Sequence, residues 1–171
     1  MQTAFANPKV EFETTLGNFT VELDPQAAPI SSANFLKYVD SGYYNSTLFH
    51  RVIDGFMVQG GGFDQNLEEK PTRAPIKLES QNGLKNSRGT IAMARTATPN
   101  SATSQFFINV VDNQSLDYPN PDGYGYAVFG KVIHGMDTID KIRTVPTTSR
   151  GTFQNMPASP VLIKSAKQIS S

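Results

Sequence analysis

The chain has 171 residues, 38% of them hydrophobic and 18% charged, which is the size and composition of a single globular domain with a sizeable core. Lys and Arg together number 15, as do Asp and Glu, so the sequence has no net charge with which to attract nucleic acid. It contains no Cys, which excludes disulfides and thiolate chemistry, and its longest apolar runs are too short for membrane insertion.

The N-terminal residues are expected to form a flexible lead over 1–8, before one domain at 9–169. Ala4-Phe5-Ala6 has the small-x-small form of a signal-peptidase site, although no apolar stretch precedes it. These three residues fit the remnant of a removed export signal and an ordinary disordered tail equally well.

The start of the domain has the pattern of a β-hairpin followed by a helix. Apolar and polar residues alternate over 10–14 and 19–23, with a turn at Gly17-Asn18 between them. Pro29 suits the first turn of a helix and Gly42 suits its end. The apolar residues of this helix recur every three positions and predict a buried face, made by Ile30, Ala33, Leu36 and Val39 with Phe35 beside them.

Strand patterns dominate the rest of the chain. Two strands are predicted around Asp54-Gly55, a polar and turn-rich segment follows at 64–88, and a second, short helix is predicted from Met136 to Arg143. The other strands are predicted near 89–94, 104–111, 126–133 and 161–167. Many strands with few helices favour a closed or nearly closed antiparallel barrel.

The most informative segment is residues 49–63, in which Arg51 lies among apolar side chains and is followed by Gln59 and three glycines. Burying Arg is costly unless a site uses its charge. Met57 and Gln59 share one strand face by period two, so Phe56 reaches that face only through a bulge, which is predicted near Gly55.

A second segment, residues 104–109, repeats the mixture of amide and aromatic side chains. Period two places Gln105 and Phe107 on one face of a strand and Phe106 on the other. We therefore predict that Phe107 belongs to a site and Phe106 to the core.

Together with the run Gly89-Thr90-Ile91-Ala92-Met93-Ala94-Arg95, these segments resemble the cyclophilin family of peptidyl-prolyl cis-trans isomerases, over nearly the whole chain. The resemblance implies a mainly β fold, a closed eight-stranded antiparallel barrel capped by two helices. It also implies an isomerase that acts on X-Pro bonds in peptides and folding proteins and needs neither cofactor nor metal. A monomer is the most economical expectation.

The chemistry of such an enzyme is the stabilisation of a twisted amide. The rotation barrier of a peptide bond is about 18–20 kcal/mol, while the cis and trans forms of X-Pro differ by only about 0.5–1 kcal/mol. An apolar pocket can grip the proline ring, and a fixed donor can bond the prolyl nitrogen once its lone pair is freed. The resemblance implies Arg51 as the catalytic donor and the following substrate-binding residues: Phe56, Met57, Gln59, Ala94, Arg95, Gln105, Phe107, Leu116 and Tyr126.

Three positions depart from the family pattern. Arg95 aligns where many members have Asn, at a position that often acts through its backbone, and Tyr126 aligns where many have His. Ser115 aligns where many have Trp or Phe, which should open the pocket rim and weaken cyclosporin binding. Tyr118 is a candidate to fill part of that gap.

Other functions remain open at this stage. A module that captures proline-containing segments without isomerising them needs only the pocket, whereas Arg51 favours an enzyme. A barrel that carries a small apolar ligand predicts an interior cavity, against which the bulky strand residues argue. A hydrolase triad of Ser104, His50 and Asp54 is disfavoured because no Gly-x-Ser-x-Gly motif is present.

The runs 124–132 and 154–157, together with the N-terminal lead, resemble exported bacterial cyclophilins more than cytoplasmic ones. We therefore expect a periplasmic protein, with the cytoplasm as the alternative.

Overall fold

The computed structural model describes residues 7–169, so most of the predicted lead at 1–8 lies outside the described residues. Two helices are present, α1 at Pro29–Asp40 and α2 at Met136–Arg143, with a short 3-10 helix at Gln114–Leu116. The strands are β1 Lys9–Thr14, β2 Gly17–Leu23, β3 Thr47–Ile53, β4 Met57–Asp64, β5 Thr90–Met93, β6 Phe106–Asn109, β7 Val128–His134, β8 Thr147–Arg150, β9 Phe153–Pro157 and β10 Leu162–Ile169.

Eight of these strands form a closed antiparallel barrel, as predicted. Their order around the barrel is β1-β10-β3-β4-β6-β5-β7-β2, and β1 also pairs with β2 to close it. The hairpin of β8 and β9 forms a separate two-stranded sheet, which the sequence analysis did not predict. Neither helix of the described residues has the length and apolar character that would be needed to cross a bilayer.

The barrel interior is filled by aromatic side chains. The rings of Phe12 and Phe19 stack with centroids 4.7 Å apart, and Phe106 packs 5.6 Å from Phe12. All three side chains are at most 1% exposed. These rings occupy the space that an interior ligand would need, so the alternative of a ligand-carrying barrel is not supported.

Helix α1 has the predicted bounds but not the predicted face. Phe35 is fully buried and packs against Phe129, with ring centroids 5.1 Å apart. Ile30, in contrast, is 39% exposed, and Ala33 is also exposed. The buried face instead includes the polar residues Ser32 and Asn34, and the Asn34 side chain donates to the Thr103 carbonyl at 2.7 Å.

At the start of the helix, the Glu79 carboxylate accepts hydrogen bonds from the backbone N–H groups of Ile30 and Ser31 at 3.1 and 2.6 Å. A distant carboxylate thus caps the helix N-terminus, where the cap residue has no polar side chain.

Helix α2 is attached to the barrel by an ion-pair network centred on Asp140. Arg88 binds Asp140 with two parallel hydrogen bonds of 3.0 and 2.9 Å, and Arg143 binds it at 2.8 Å. Hydrogen bonds from these two guanidinium groups lower the pKa of Asp140 to about 2. Arg143 also binds Asp54 at 2.7 Å, which connects α2 with the turn between β3 and β4.

His50 is a buried titratable residue of β3 whose ring lies between aromatic side chains. The centroid of its ring lies 4.7 Å from that of Phe63 and 6.3 Å from that of Phe153. The residue is 7% exposed, and its Nδ1 atom has no hydrogen-bond partner among the described residues. Burial, and secondly the charge of Arg51, lower the pKa of His50 from 6.5 to about 4.

Replacing His50 by Phe should remove a pH dependence of stability. In the wild type the unfolded chain takes up a proton near pH 6.5 and the folded chain only near pH 4, so the free energy of unfolding decreases as the pH falls through this range. The expected decrease is on the order of 2–3 kcal/mol. Urea titrations at pH 7 and pH 4.5 should show it in the wild type and a smaller decrease in His50→Phe. Equal decreases in both proteins would contradict the assignment.

Candidate active site

A second hydrophobic cluster lies outside the barrel, on the outer face of four neighbouring strands. The register pairs Gln59 with Phe107, Phe107 with Ala92, and Ala92 with Val128, so these residues lie side by side across β4, β6, β5 and β7. Phe106, on the other face of β6, packs in the interior. The prediction that Phe107 belongs to the site and Phe106 to the core is therefore consistent with their positions. The buried residues of this outer cluster are Met57, Ala92, Phe107, Leu116 and Val128.

Arg51 reaches this outer surface because β3 carries one extra residue. Phe49 pairs with Gly60 and Arg51 with Gln59, so two steps along β3 correspond to one step along β4. This is a β-bulge at His50, and it changes the direction in which the following side chain points. The bulge predicted near Gly55 is wrong in position: the pairing is regular from Arg51 to Ile53, and the two irregularities of this hairpin lie between Thr47 and Phe49 and between Phe49 and Arg51.

Phe56 reaches the site from a tight turn and not from a strand. The Phe56 N–H donates to the Ile53 carbonyl at 3.0 Å, and Gly55 has a φ of 80°, the left-handed conformation that glycine adopts without strain. The Phe56 carbonyl accepts hydrogen bonds from Val110 N–H at 3.1 Å and from the Asn113 side chain at 2.8 Å. The turn is therefore fixed at both ends.

These elements enclose a surface cavity of about 240 Å³. Its lining comprises nine of the ten predicted site residues: Arg51, Phe56, Met57, Gln59, Ala94, Arg95, Phe107, Leu116 and Tyr126. The tenth, Gln105, lines an adjacent cavity of about 320 Å³ that shares Gln59, Ala94 and Arg95 with the first. The cavity has an apolar floor of Met57 and Phe107, 2% and 4% exposed, while Arg51 is exposed at its edge.

Three polar side chains form a chain of hydrogen bonds along the edge of the cavity. Arg51 Nη1 donates to Gln59 Oε1 at 3.3 Å, and Gln59 Nε2 donates to Gln105 Oε1 at 2.9 Å. Gly62 lies directly beneath Gln105, since a Cβ at Gly62 would approach Gln105 Cγ to 2.6 Å. The absence of a side chain at residue 62 is what lets Gln105 lie against β4 and meet Gln59.

A buried network of amides supports the cavity and was missed by the sequence analysis. Asn109 Nδ2 donates to Asn86 Oδ1 at 3.0 Å, and Asn113 Nδ2 donates to Asn109 Oδ1 at 2.8 Å. Asn86 in turn donates to Asp117 Oδ1 through its backbone N–H at 2.6 Å and its side chain at 3.1 Å. The network joins the Phe56 turn to the segment that follows Leu116. The only sequence signal for it was Asn109, a polar residue on the outer face of β6.

Two of the three departures from the family pattern contact each other. The Arg95 guanidinium lies over the Tyr126 ring, with its Cζ 4.4 Å from the ring centroid. Tyr126 also meets Phe107 edge to face, with centroids 5.8 Å apart. Arg95 hydrogen bonds with Asp122, and these bonds lower the pKa of that carboxyl.

The third departure leaves the rim open. Ser115 is exposed in the 3-10 helix. Tyr118 does not fill the gap, because it lines a separate surface groove with Tyr124. The two rings are 43% and 46% exposed.

The hydrolase alternative is wrong. The Ser104 hydroxyl is buried and donates to the Gly61 carbonyl at 2.8 Å, and His50 packs against Phe63 and Phe153. Asp54 is paired with Arg143.

No group of three His, Cys, Asp or Glu side chains within residues 7–169 is placed to hold a metal ion.

Known proteins resemble this chain in sequence and in fold. Residues 9–168 match a family model described as cyclophilin type peptidyl-prolyl cis-trans isomerase/CLD. A peptidyl-prolyl cis-trans isomerase of Acinetobacter baylyi is 58% identical over 96% of this chain and 87% of that protein. Peptidyl-prolyl cis-trans isomerase B of Escherichia coli is 51% identical over 91% of this chain and 96% of that protein.

A solved structure agrees with these relatives. The crystal structure of a cyclophilin type peptidyl-prolyl cis-trans isomerase of Cryptosporidium parvum in the presence of the dipeptide Ala-Pro has a TM-score of 0.79. It is 29% identical and covers 95% of this chain and 99% of that chain. The barrel, the match over residues 9–168 and the identity to named isomerases lead to one conclusion: the chain belongs to the cyclophilin-type peptidyl-prolyl cis-trans isomerase family.

Proposed function

We propose that this chain accelerates rotation about X-Pro bonds in peptides and folding proteins, with the proline ring in the 240 Å³ cavity and Arg51 bonded to the prolyl nitrogen. The observation that carries the proposal is the position of one guanidinium at the edge of an apolar floor made by Met57 and Phe107. The names of the relatives and the Ala-Pro dipeptide in the related crystal structure support the same substrate class.

The apolar floor contributes by desolvation. Burying a proline ring against Met57, Phe107 and Leu116 removes about three methylenes from water, which contributes about 2 kcal/mol to binding. The same contact excludes water from the amide, and the planar form, whose resonance separates charge, loses more hydration than the twisted form. The ring is thereby held while the preceding residue rotates.

Arg51 contributes in the twisted state. The prolyl nitrogen becomes a hydrogen-bond acceptor only when conjugation with the carbonyl is lost, so a donor at that point lowers the barrier instead of strengthening ground-state binding. The hydrogen bond to Gln59 fixes one side of the guanidinium and leaves its other N–H groups for this role. A 10⁵-fold acceleration requires about 7 kcal/mol of such differential stabilisation.

The polar edge holds the peptide on either side of the proline. Gln59 and Gln105 present amide groups that are ordered by their own hydrogen bond, so they can pair with the peptide backbone with little loss of side-chain freedom. Because Ser115 leaves the rim of the cavity open, we also propose that cyclosporin binds weakly. We further propose that the chain acts as a monomer.

The proposed site of action is the periplasm. The motivating residues are the runs 124–132 and 154–157, of which the second lies in the β9 strand of the extra hairpin. Fractionation of cells that carry the native gene, followed by immunoblotting, should recover the protein in the periplasmic fraction. Recovery in the cytoplasm alone would contradict the proposal.

Arg51→Ala is expected to lower kcat/KM about 10²–10³-fold, because it removes a donor aimed at charge that develops only in the transition state. NMR exchange spectroscopy on an Ala-Pro peptide measures this loss directly, since it reports cis–trans interconversion of the bound peptide. Arg51→Lys should recover little activity, because an ammonium group lacks the fork of N–H donors.

Arg150→Ala is the matched control, since Arg150 is an exposed arginine in β8 that does not line the cavity. It should retain the wild-type rate. Full activity in Arg51→Ala would refute the mechanism. A wild-type protein that broadens the peptide resonances without exchange would indicate a binding module instead.

Gly62→Ala should impair the site by displacing Gln105. Backbone strain is not involved, because Gly62 is not among the glycines with positive φ, and the atoms approached to 2.6 Å are the movable end of Gln105. We expect kcat/KM to fall by up to about tenfold, the equivalent of one hydrogen bond. The melting temperature should change little.

The double variant Gly62→Ala, Gln105→Ala decides whether the effect passes through Gln105. If it does, the double variant is no less active than Gln105→Ala alone. A further loss on combining the two substitutions would show that Gly62 acts on the site by another route.

A further inference from the structure

Arg95 differs from Arg51, the other cation that lines the cavity, because its guanidinium is fully hydrogen-bonded to other groups of the protein. Its side chain is 1% exposed, although it lies on the wall between the two cavities. The family resemblance implies that Arg95 is a substrate-binding residue at a position that often acts through its backbone.

All three nitrogens of the Arg95 guanidinium are engaged by one loop and by its own strand end. Nε and Nη2 donate to the Gly125 carbonyl at 3.2 and 2.6 Å, and Nη1 donates to the Thr96 carbonyl at 2.9 Å. Asp122 binds Nη2 and Nη1 at 3.1 Å each. These contacts leave the planar face of the guanidinium as the surface that Arg95 presents, and Tyr126 covers it.

We propose that Arg95 is a positioning residue that fixes Tyr126 and the 122–125 loop as the outer wall of the proline pocket, and that its side chain makes no hydrogen bond to the peptide. The proposal rests on the proposed function of the cavity and deepens it. It assigns to a buried arginine, which replaces the Asn of many family members, a task that a short amide cannot perform, since an amide cannot reach Gly125, Thr96 and Asp122 together.

The pocket wall depends on Arg95 because neither Ser115 nor Tyr118 contributes a large side chain to it. Ser115 is small and exposed, and Tyr118 lies in another groove, so Tyr126 supplies the aromatic surface on this side of the cavity. The Tyr126 ring is held from one direction by the edge contact with Phe107 and from another by Arg95. Removing Arg95 frees both the ring and the carbonyl of Gly125.

The loop also depends on close packing next to Gly125. This residue has a φ of 71°, and a Cβ there would lie 2.7 Å from the Tyr118 backbone. The two hydrogen bonds from Arg95 to the Gly125 carbonyl hold the loop in this narrow position. Tyr126 follows directly, so the orientation of its ring is determined one residue after the anchored carbonyl.

The test is an NMR titration with a proline-containing peptide that measures two quantities, the Kd and the exchange rate at saturation. Arg95→Ala should raise Kd about tenfold and change the exchange rate at saturation by less than threefold, because Arg51 is untouched. In a Tyr126→Ala background, the same substitution should raise Kd by less than twofold. An equal rise of Kd in both backgrounds would overturn the proposal, since Arg95 would then act on the peptide without Tyr126.

Arg95→Lys guards against simple loss of the loop, because it keeps a cation beside Asp122. It should still raise Kd several-fold, since an ammonium cannot stack on Tyr126 while binding Gly125 and Asp122. A Lys variant with the wild-type Kd would overturn the proposal.

Arg88→Ala is the matched control, since Arg88 forms a similar two-bonded pair with Asp140 away from the cavity, and it should leave Kd unchanged. A wild type that binds the peptide without exchange would refute the proposed function, while the Kd comparison would still decide the role of Arg95.

Discussion

The extra residue at His50 in β3 determines the direction in which Arg51 points, and the arrangement of the cavity depends on that direction. Without the bulge, strict alternation from Phe49, which packs in the core, would place Arg51 inside the barrel among aromatic rings. An unpaired guanidinium there would be too costly to bury. The bulge instead turns two successive side chains outward, so His50 enters an aromatic pocket and Arg51 reaches the edge of the outer cluster.

Where strands are regular, alternation along the sequence was sufficient to predict which side chains share a face. Period two separated Phe106 from Phe107, and the register then aligned Phe107 with Gln59 and Ala92 on the outer face. The eight-stranded count came from family resemblance and not from periodicity. What the local pattern could not supply was the position of the bulge, because the pairing of β3 with β4 decides it and neither strand contains that information alone.

Other features were unpredictable because they join residues that are distant in the sequence. Glu79 caps helix α1 from 48 residues away, and Asn34 on the buried face of that helix binds the Thr103 carbonyl from a distance of 69 residues. Asn86 and Asp117 meet across 31 residues to support the pocket. Each of these side chains is of a kind that ordinarily stays in water. Their roles follow only from the elements that the fold brings against them.

The two guanidinium groups of the cavity illustrate how one residue type can serve opposite purposes. Arg95 has a carboxylate partner in Asp122, whereas no carboxylate among the described residues pairs with Arg51. Since like charges at one cavity repel each other, the ion pair of Arg95 with Asp122 leaves Arg51 as the cation without a carboxylate partner at this cavity, among the residues that the structure describes. In the proposed mechanism, the charge that is paired and buried fixes the pocket wall, and the charge that is exposed and bonded only to an amide is left to bond the prolyl nitrogen as it twists.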